Sequence, residues 1–173
     1  ESLCANTTGT QNVAVGNESL GSNTEGNYNT ALGRLALYEN TTGSNNTSVG
    51  LSALEKNTDG GGNTAMGYKV LCTNTTGDQN VAIGSNAMQS NTTANNNTAV
   101  GFRTMDKNTE GTNNVAMGMD AMRCNTTADF NTALGACSMY TNATGEENTA
   151  VGFCALKTST VSNNTAFGSQ SLR

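Results

Sequence analysis

The sequence predicts an all-β fold, a parallel β-solenoid (β-roll) of about ten 17-residue coils, and three observations carry that prediction. An Asn-Thr-Ala-apolar-Gly motif starts at Asn12, Asn29, Asn46, Asn63, Asn80, Asn97, Asn114, Asn131, Asn148 and Asn164, spaced 17 residues apart eight times and 16 once. Asn, Thr and Gly supply 27, 28 and 20 of the 173 residues, while apolar residues reach only 35 % and Pro and Trp are absent. That leaves too few bulky side chains for a conventional core of this size. The apolar residues nevertheless keep a fixed phase in every unit, which a disordered Asn/Thr/Gly-rich chain has no reason to do.

Each element follows from the unit, numbered here from its first Asn. A period of 17 suits one solenoid coil and hardly a helical hairpin. Gly at positions 5 and 15 would each cost a helix about 1 kcal/mol relative to Ala. Positions 1–4 alternate with period 2 and read as a strand, and position 5 is a glycine turn. A short second strand then ends at position 9, always Leu or Met, and an Asn-Thr-Thr-Gly turn leads back to the start. Stacked about 4.8 Å apart, ten such coils make a rod roughly 50 Å long. Asn at positions 1 and 12 is expected to stack its amides head to tail as polar ladders. Acids at position 14 (Glu25, Asp59, Glu110) never occupy neighbouring units, which suits stacked like charges. The pattern opens at position 7 with Glu1 and closes at position 10 with Arg173. Residues 1–173 are therefore expected to be one repeat array cut in mid-repeat at both ends, a piece of a longer fibre. The absence of an initiator Met points the same way.

Side chains alternate along a strand, so positions 2 and 4 share one face while 3 and 5 share the other. Position 4 forms an apolar stripe: Val15, Leu32, Val49, Met66, Ile83, Val100, Met117, Leu134, Val151 and Phe167. If position 9 fills the coil, that stripe needs outside cover, since soluble monomers expose few contiguous apolar patches above a few hundred Å². Three rods meeting on an axis would supply it. The alternative is that positions 4 and 9 meet inside one self-sufficient coil.

Units such as Asn29-Thr-Ala-Leu-Gly-Arg-Leu-Ala-Leu-Tyr-Glu-Asn-Thr-Thr-Gly43 resemble the NTAxG-type repeats of bacterial, phage and large algal virus fibres and adhesins. They are similar to the head repeats of YadA-type trimeric autotransporter adhesins. The resemblance covers the whole chain and implies a left-handed parallel β-roll assembled as a trimer.

The chemistry excludes more than it suggests. Without His, Ser-His-Asp and Cys-His arrangements and imidazole metal sites are impossible. The carboxylates are scattered, and a uniform rod offers no cleft for a glycosidase pair. No enzyme activity, metal or cofactor is expected. A net charge of −5 lacks the basic surface that nucleic acid needs and disfavours anionic membranes. No stretch approaches the roughly 20 apolar residues of a spanning helix. Asn6, Asn40, Asn74, Asn91, Asn125 and Asn142 head sequons at position 12, and Asn17, Asn45, Asn46, Asn96 and Asn163 head others. Glycosylation is one reading of them and structural repetition the other. Cys137 and Cys154 share position 7 in adjacent units, close enough for a disulfide staple or for two free thiols. The expected function is a shaft or adhesive segment of a fibre on an extracellular, cell or virion surface. Its partners would be other copies of itself and a host-surface glycan or protein receptor. The rival is a monomeric solenoid that binds ice or glycans; Val13, Val81 and Val115 interrupt its Thr row.

Overall fold

The computed structural model describes residues 1–172. Ten three-residue strands, one per coil, run from β1 (Val13–Val15) to β10 (Thr165–Phe167). They form one parallel sheet whose order is the chain order. Register equals the repeat: Val13 pairs with Thr30 and Ala14 with Ala31. Thr165 still pairs with Thr149 although the loop between them is one residue short. The position 2 amide of each coil donates to the position 1 carbonyl of the next, as in Val13 to Asn29 and Thr64 to Asn80, both 2.8 Å. There is no helix among the described residues, and the solenoid expected from the period is the fold observed.

The second strand is not there. Positions 6–11 form consecutive turns, because positions 7 and 9 adopt left-handed backbone in coil after coil, as in Leu35 (φ 58°) and Leu37 (φ 53°). Position 17 does the same, as in Tyr28 (φ 58°). The physical reason lies in what must be buried. Positions 8 and 9 both point inward, as Ala36 and Leu37 do, and an extended strand sends neighbours to opposite faces. Left-handed backbone costs an L-residue about 1–2 kcal/mol, and branching at Cβ makes it a genuine outlier. That is why position 9 is only ever Leu or Met, and why Thr, the commonest residue, appears at none of the three left-handed positions. Burying a Leu or Met side chain contributes about 1.5–3 kcal/mol, enough to offset the strain at position 9.

The core is a narrow column: Ala or Ser at position 3, small residues at position 8, and Leu20, Leu37, Leu54, Leu71, Met88, Met105, Met122 and Met139 at position 9. Position 5 must be Gly for two reasons at once. Gly33 has φ 138°, and a Cβ there would lie 2.5 Å from the Gly50 carbonyl oxygen, which only a residue without a side chain tolerates.

Candidate interaction surface

Position 4 faces outward in every coil, which overturns the alternative in which positions 4 and 9 meet inside. Val49, Val100, Leu134 and Val151 are half-buried and the other six stripe residues are exposed. The stripe is also wider than one row. Leu51, Tyr68, Phe102, Met119 and Phe153 at position 6 and Val13 and Val115 at position 2 stand exposed beside it. These large apolar side chains are 36 % to 67 % exposed and sum to on the order of 1,000 Å². The largest patch on a typical monomer is about 300–600 Å², and a standard protein interface takes about 800 Å² per partner.

The two Asn rows are buried but bond differently. At position 12 the expected amide ladder is present: Asn23 Nδ2 donates to Asn6 Oδ1 (2.8 Å), and the chain of bonds continues to Asn125 Nδ2 on Asn108 Oδ1 (2.7 Å). Position 1 departs from the expectation. Asn12 Oδ1 accepts the backbone N–H of Asn29, and Asn12 Nδ2 donates to the Gly26 carbonyl. The same pattern holds in Asn29, Asn46, Asn63, Asn80 and Asn97. Direct amide-to-amide bonds occur there only as longer second branches, such as Asn80 to Asn63 at 3.2 Å. Position 1 opens the strand, where the next coil's N–H points along the axis and takes the amide oxygen first. Asn114, Asn131 and Asn148 also pass Oδ1 to the next backbone N–H, and Asn164 ends the row with its amide on Asn148 Oδ1.

This burial corrects the glycosylation reading. Asn40, Asn74, Asn91, Asn125 and Asn142 are at most 1 % exposed with their Nδ2 atoms donating inside the coil, so no room exists for a glycan. Among the position 12 sequons only Asn6 is exposed; Asn17, Asn45, Asn96 and Asn163 are exposed as well, whereas Asn46 is buried. Cys137 and Cys154 carry free thiols rather than a disulfide. Burial, then the neighbouring Cys154 and Asp120, push the Cys137 thiol above its ordinary range, which keeps it protonated and a poor nucleophile. Burial and Glu55 do the same to Cys72.

Sequence reasoning missed three features. Position 16 is a third polar row: Asn27 Oδ1 caps the Thr10 amide, Ser44 Oγ the Asn27 amide and Asp78 Oδ1 the Gly61 amide. Its signal is the restriction of that position to short polar residues, glycine and one Glu. The missing β-branched residues at positions 7, 9 and 17 signalled the left-handed turns. The third feature is charge. Every Lys and Arg falls at positions 6, 7, 10 or 11, in the stretch of turns after the strand, whereas positions 14–17, which lead into the next strand, hold seven carboxylates and no cation. The stretch leading into the strand (the leading edge) is thus acidic, and the stretch of turns that follows it (the trailing edge) carries both signs.

All four ion pairs among the described residues lie on the trailing edge. Arg103 Nε reaches Asp120 Oδ1 at 3.1 Å, Arg123 Nε lies 3.7 Å and 3.6 Å from Asp120 and Asp106, and Lys107 lies 4.0 Å from Asp106. Arg123 also donates to the Tyr140 hydroxyl at 2.7 Å. Burial opposes its charge, but Tyr140, Asp120 and Asp106 together hold its pKa above the ordinary value. On the leading edge the Thr42 hydroxyl, against the opposing effect of burial and with help from Thr41 and Thr58, holds Asp59 below the usual carboxylate range. Asp59 and Asp78 flank a shallow depression of about 450 Å³ over Gly61 and Gly62. No group of three or more Cys, Asp or Glu converges among the described residues. Comparison with family models, curated proteins and solved structures gives no match to this chain.

Proposed function

We propose that this chain is a shaft segment of a fibre on an extracellular, cell or virion surface, in which three copies cover one another's apolar strand faces. The single observation that carries the reading is the outward apolar row from Val15 to Phe167, six of its ten residues exposed and four half-buried. A surface of that area on a rod of stacked hydrogen bonds suits permanent burial by like surfaces better than a passing ligand. The role is mechanical, without catalysis: a stiff column that holds a binding tip away from its base and lets several tips engage a surface glycan or protein receptor at once. The test is sedimentation or light scattering at micromolar concentration. The expected mass is three times the 17.7 kDa of one chain. A monomer at every concentration sinks the proposal, and thermal hysteresis from that monomer would favour the ice-binding rival.

A further inference from the structure

The two rows that flank the strand say how copies would meet. Position 17 stands two residues before the strand and position 6 two residues after it, as Gly62 and Tyr68 do around β4 (Thr64–Met66), and no residue of either row is buried. Bulk on these flanks is complementary. Where position 6 carries Leu51, Tyr68, Phe102, Met119 or Phe153, position 17 ahead of the same strand is Asn, Gly or Glu. Where position 17 carries Tyr28 or Phe130, position 6 beyond the strand is Arg34 or Ala136, so no coil is large and apolar on both flanks. Stacking within one chain does not demand Gly62. Every other residue at position 17 keeps a side chain on the same left-handed backbone, Tyr28 at φ 58° and Phe130 at φ 57° among them. A Cβ on Gly62 would meet nothing closer than Gln79 Cγ at 3.5 Å, an ordinary contact. The glycines instead open the depression of about 450 Å³, which Thr42, Ser44, Asp59 and Asp78 line with hydroxyls and carboxylates. Tyr68, level with it on the other flank, is 46 % exposed.

Parallel rods with their sheet faces turned to a common axis bring the position 6 flank of one copy against the position 17 flank of the next, level with level. Antiparallel rods set like flanks together and mismatch the levels. We infer that Tyr68 of one copy seats in the next copy's depression over Gly61 and Gly62, while Phe130 of that next copy seats over Ala136 of the first. A buried tyrosine hydroxyl needs a partner, and the carboxylates and hydroxyls of the depression supply acceptors. The two contacts lie four coils apart on one seam and point in opposite senses, so together they fix polarity and register. A slip of one coil would drive Phe130 against Met119 or Phe153 and Tyr68 against Asn45 or Gln79, and overpacked contacts of that kind are destabilising. This pairing rests on the self-association proposed above and adds to it a polarity, a register and named contacts.

Moving the bulk tests the pairing. Gly62→Tyr fills one hole, on backbone that already carries aromatic residues in other coils, and Ala136→Phe fills the other. A double variant, Gly62→Tyr with Tyr68→Ala, moves the knob to the position 17 flank, the sense that Phe130 and Ala136 already use. Asn163→Tyr adds the same bulk to that flank opposite the small Ser169. Circular dichroism and thermal unfolding first establish that each variant folds as the parent does; the two holes lie in different coils, so misfolding of one filled variant leaves the other to decide. Sedimentation equilibrium should then show Gly62→Tyr and Ala136→Phe each associating about tenfold more weakly than the parent. The double variant should recover most of the loss, and Asn163→Tyr should keep parental strength. A filled hole at parental strength overturns the pairing. So does a double variant that fails to recover, or an Asn163→Tyr as weak as Gly62→Tyr. A parent chain that stays monomeric removes the underlying reading along with the pairing.

Discussion

Coils 2 to 7 and coils 8 and 9 share the same repeat but not the same bonding, and the difference shows what holds the column together. In coils 2 to 7 the amides of positions 13 and 14 converge on one carbonyl of the next coil, joined by position 15 in three of them, as Thr58, Asp59 and Gly60 do on Thr75. The position 12 amide links up and down at the same level. In coil 9 the loop from Thr158 to Asn163 is one residue short and Ser159 stands where Asn is expected. Gly145 turns its amide back to Asn142 Oδ1 of its own coil. Asn142 Nδ2 then serves only the Gly145 carbonyl, and Asn125 Oδ1 one coil further back is left buried without a partner. Asn131 is disturbed as well, its amide donating to Asp129 instead of the position 15 carbonyl. One missing residue is felt two coils away because each polar group is satisfied by its equivalent in the neighbouring coil, not by water.

Four experiments break or sharpen that contrast. The largest effect is expected at position 5. Gly84→Ala meets both φ 119° and the Gly101 carbonyl at 2.5 Å, whereas Gly168 has φ 110° and nothing within 4 Å of a Cβ. Urea unfolding should show Gly84→Ala losing at least about 3 kcal/mol, and Gly168→Ala only the backbone cost of about 1–2 kcal/mol. Equal losses would mean that stacking is not what demands glycine. Next comes the ladder itself. Asn74→Ala strips partners from Asn57, Asn91 and Gly77, and each buried group left unpaired costs about 1–3 kcal/mol. Asn142→Ala removes only contacts within its own turn, so the same unfolding measurement should find it clearly milder.

A repair should give a smaller change of opposite sign. Ser159→Asn with one Gly inserted after Val161 restores the 17-residue spacing and offers Asn142 a neighbour. Stability should rise by about 1 kcal/mol, and hydrogen exchange of the Asn142 to Asn163 amides should slow towards that of the central coils. Unchanged exchange would detach the ladder defect from the short loop. The smallest effect is chemical. Alkylation near neutral pH should modify exposed Cys4 first, with Cys137 and Cys72 lagging because their raised pKa values leave less thiolate. Their rates should climb as pH passes above the ordinary thiol range, and a Cys137 as fast as Cys4 at neutral pH would contradict the burial seen there.

Much of the candidate surface was legible in the residues, and what was not has identifiable causes. Val15 to Phe167 could be read as an outward stripe because strand periodicity separates it from Ala31 and its equivalents. The repeat predicts a second strand because Leu at position 9 after a variable residue at position 7 looks like alternation, and only the left-handed φ of both reveals a turn. The repeat predicts an amide-to-amide rung at Asn29 because composition does not say which donor lies closest to Oδ1. The position 12 sequons leave glycosylation and structural repetition both open in the sequence, and the 0 % exposure of Asn74 and Asn91 favours repetition.

From the residues alone came the coil length, the parallel stacking, the small-residue core face and the apolar stripe, since each depends only on which positions recur. The tertiary structure decided where the backbone bends left-handed, which polar atom meets which, and which charged groups pair between neighbouring coils. Those depend on directions in space, and a repeat length carries no direction until neighbouring coils are laid against each other.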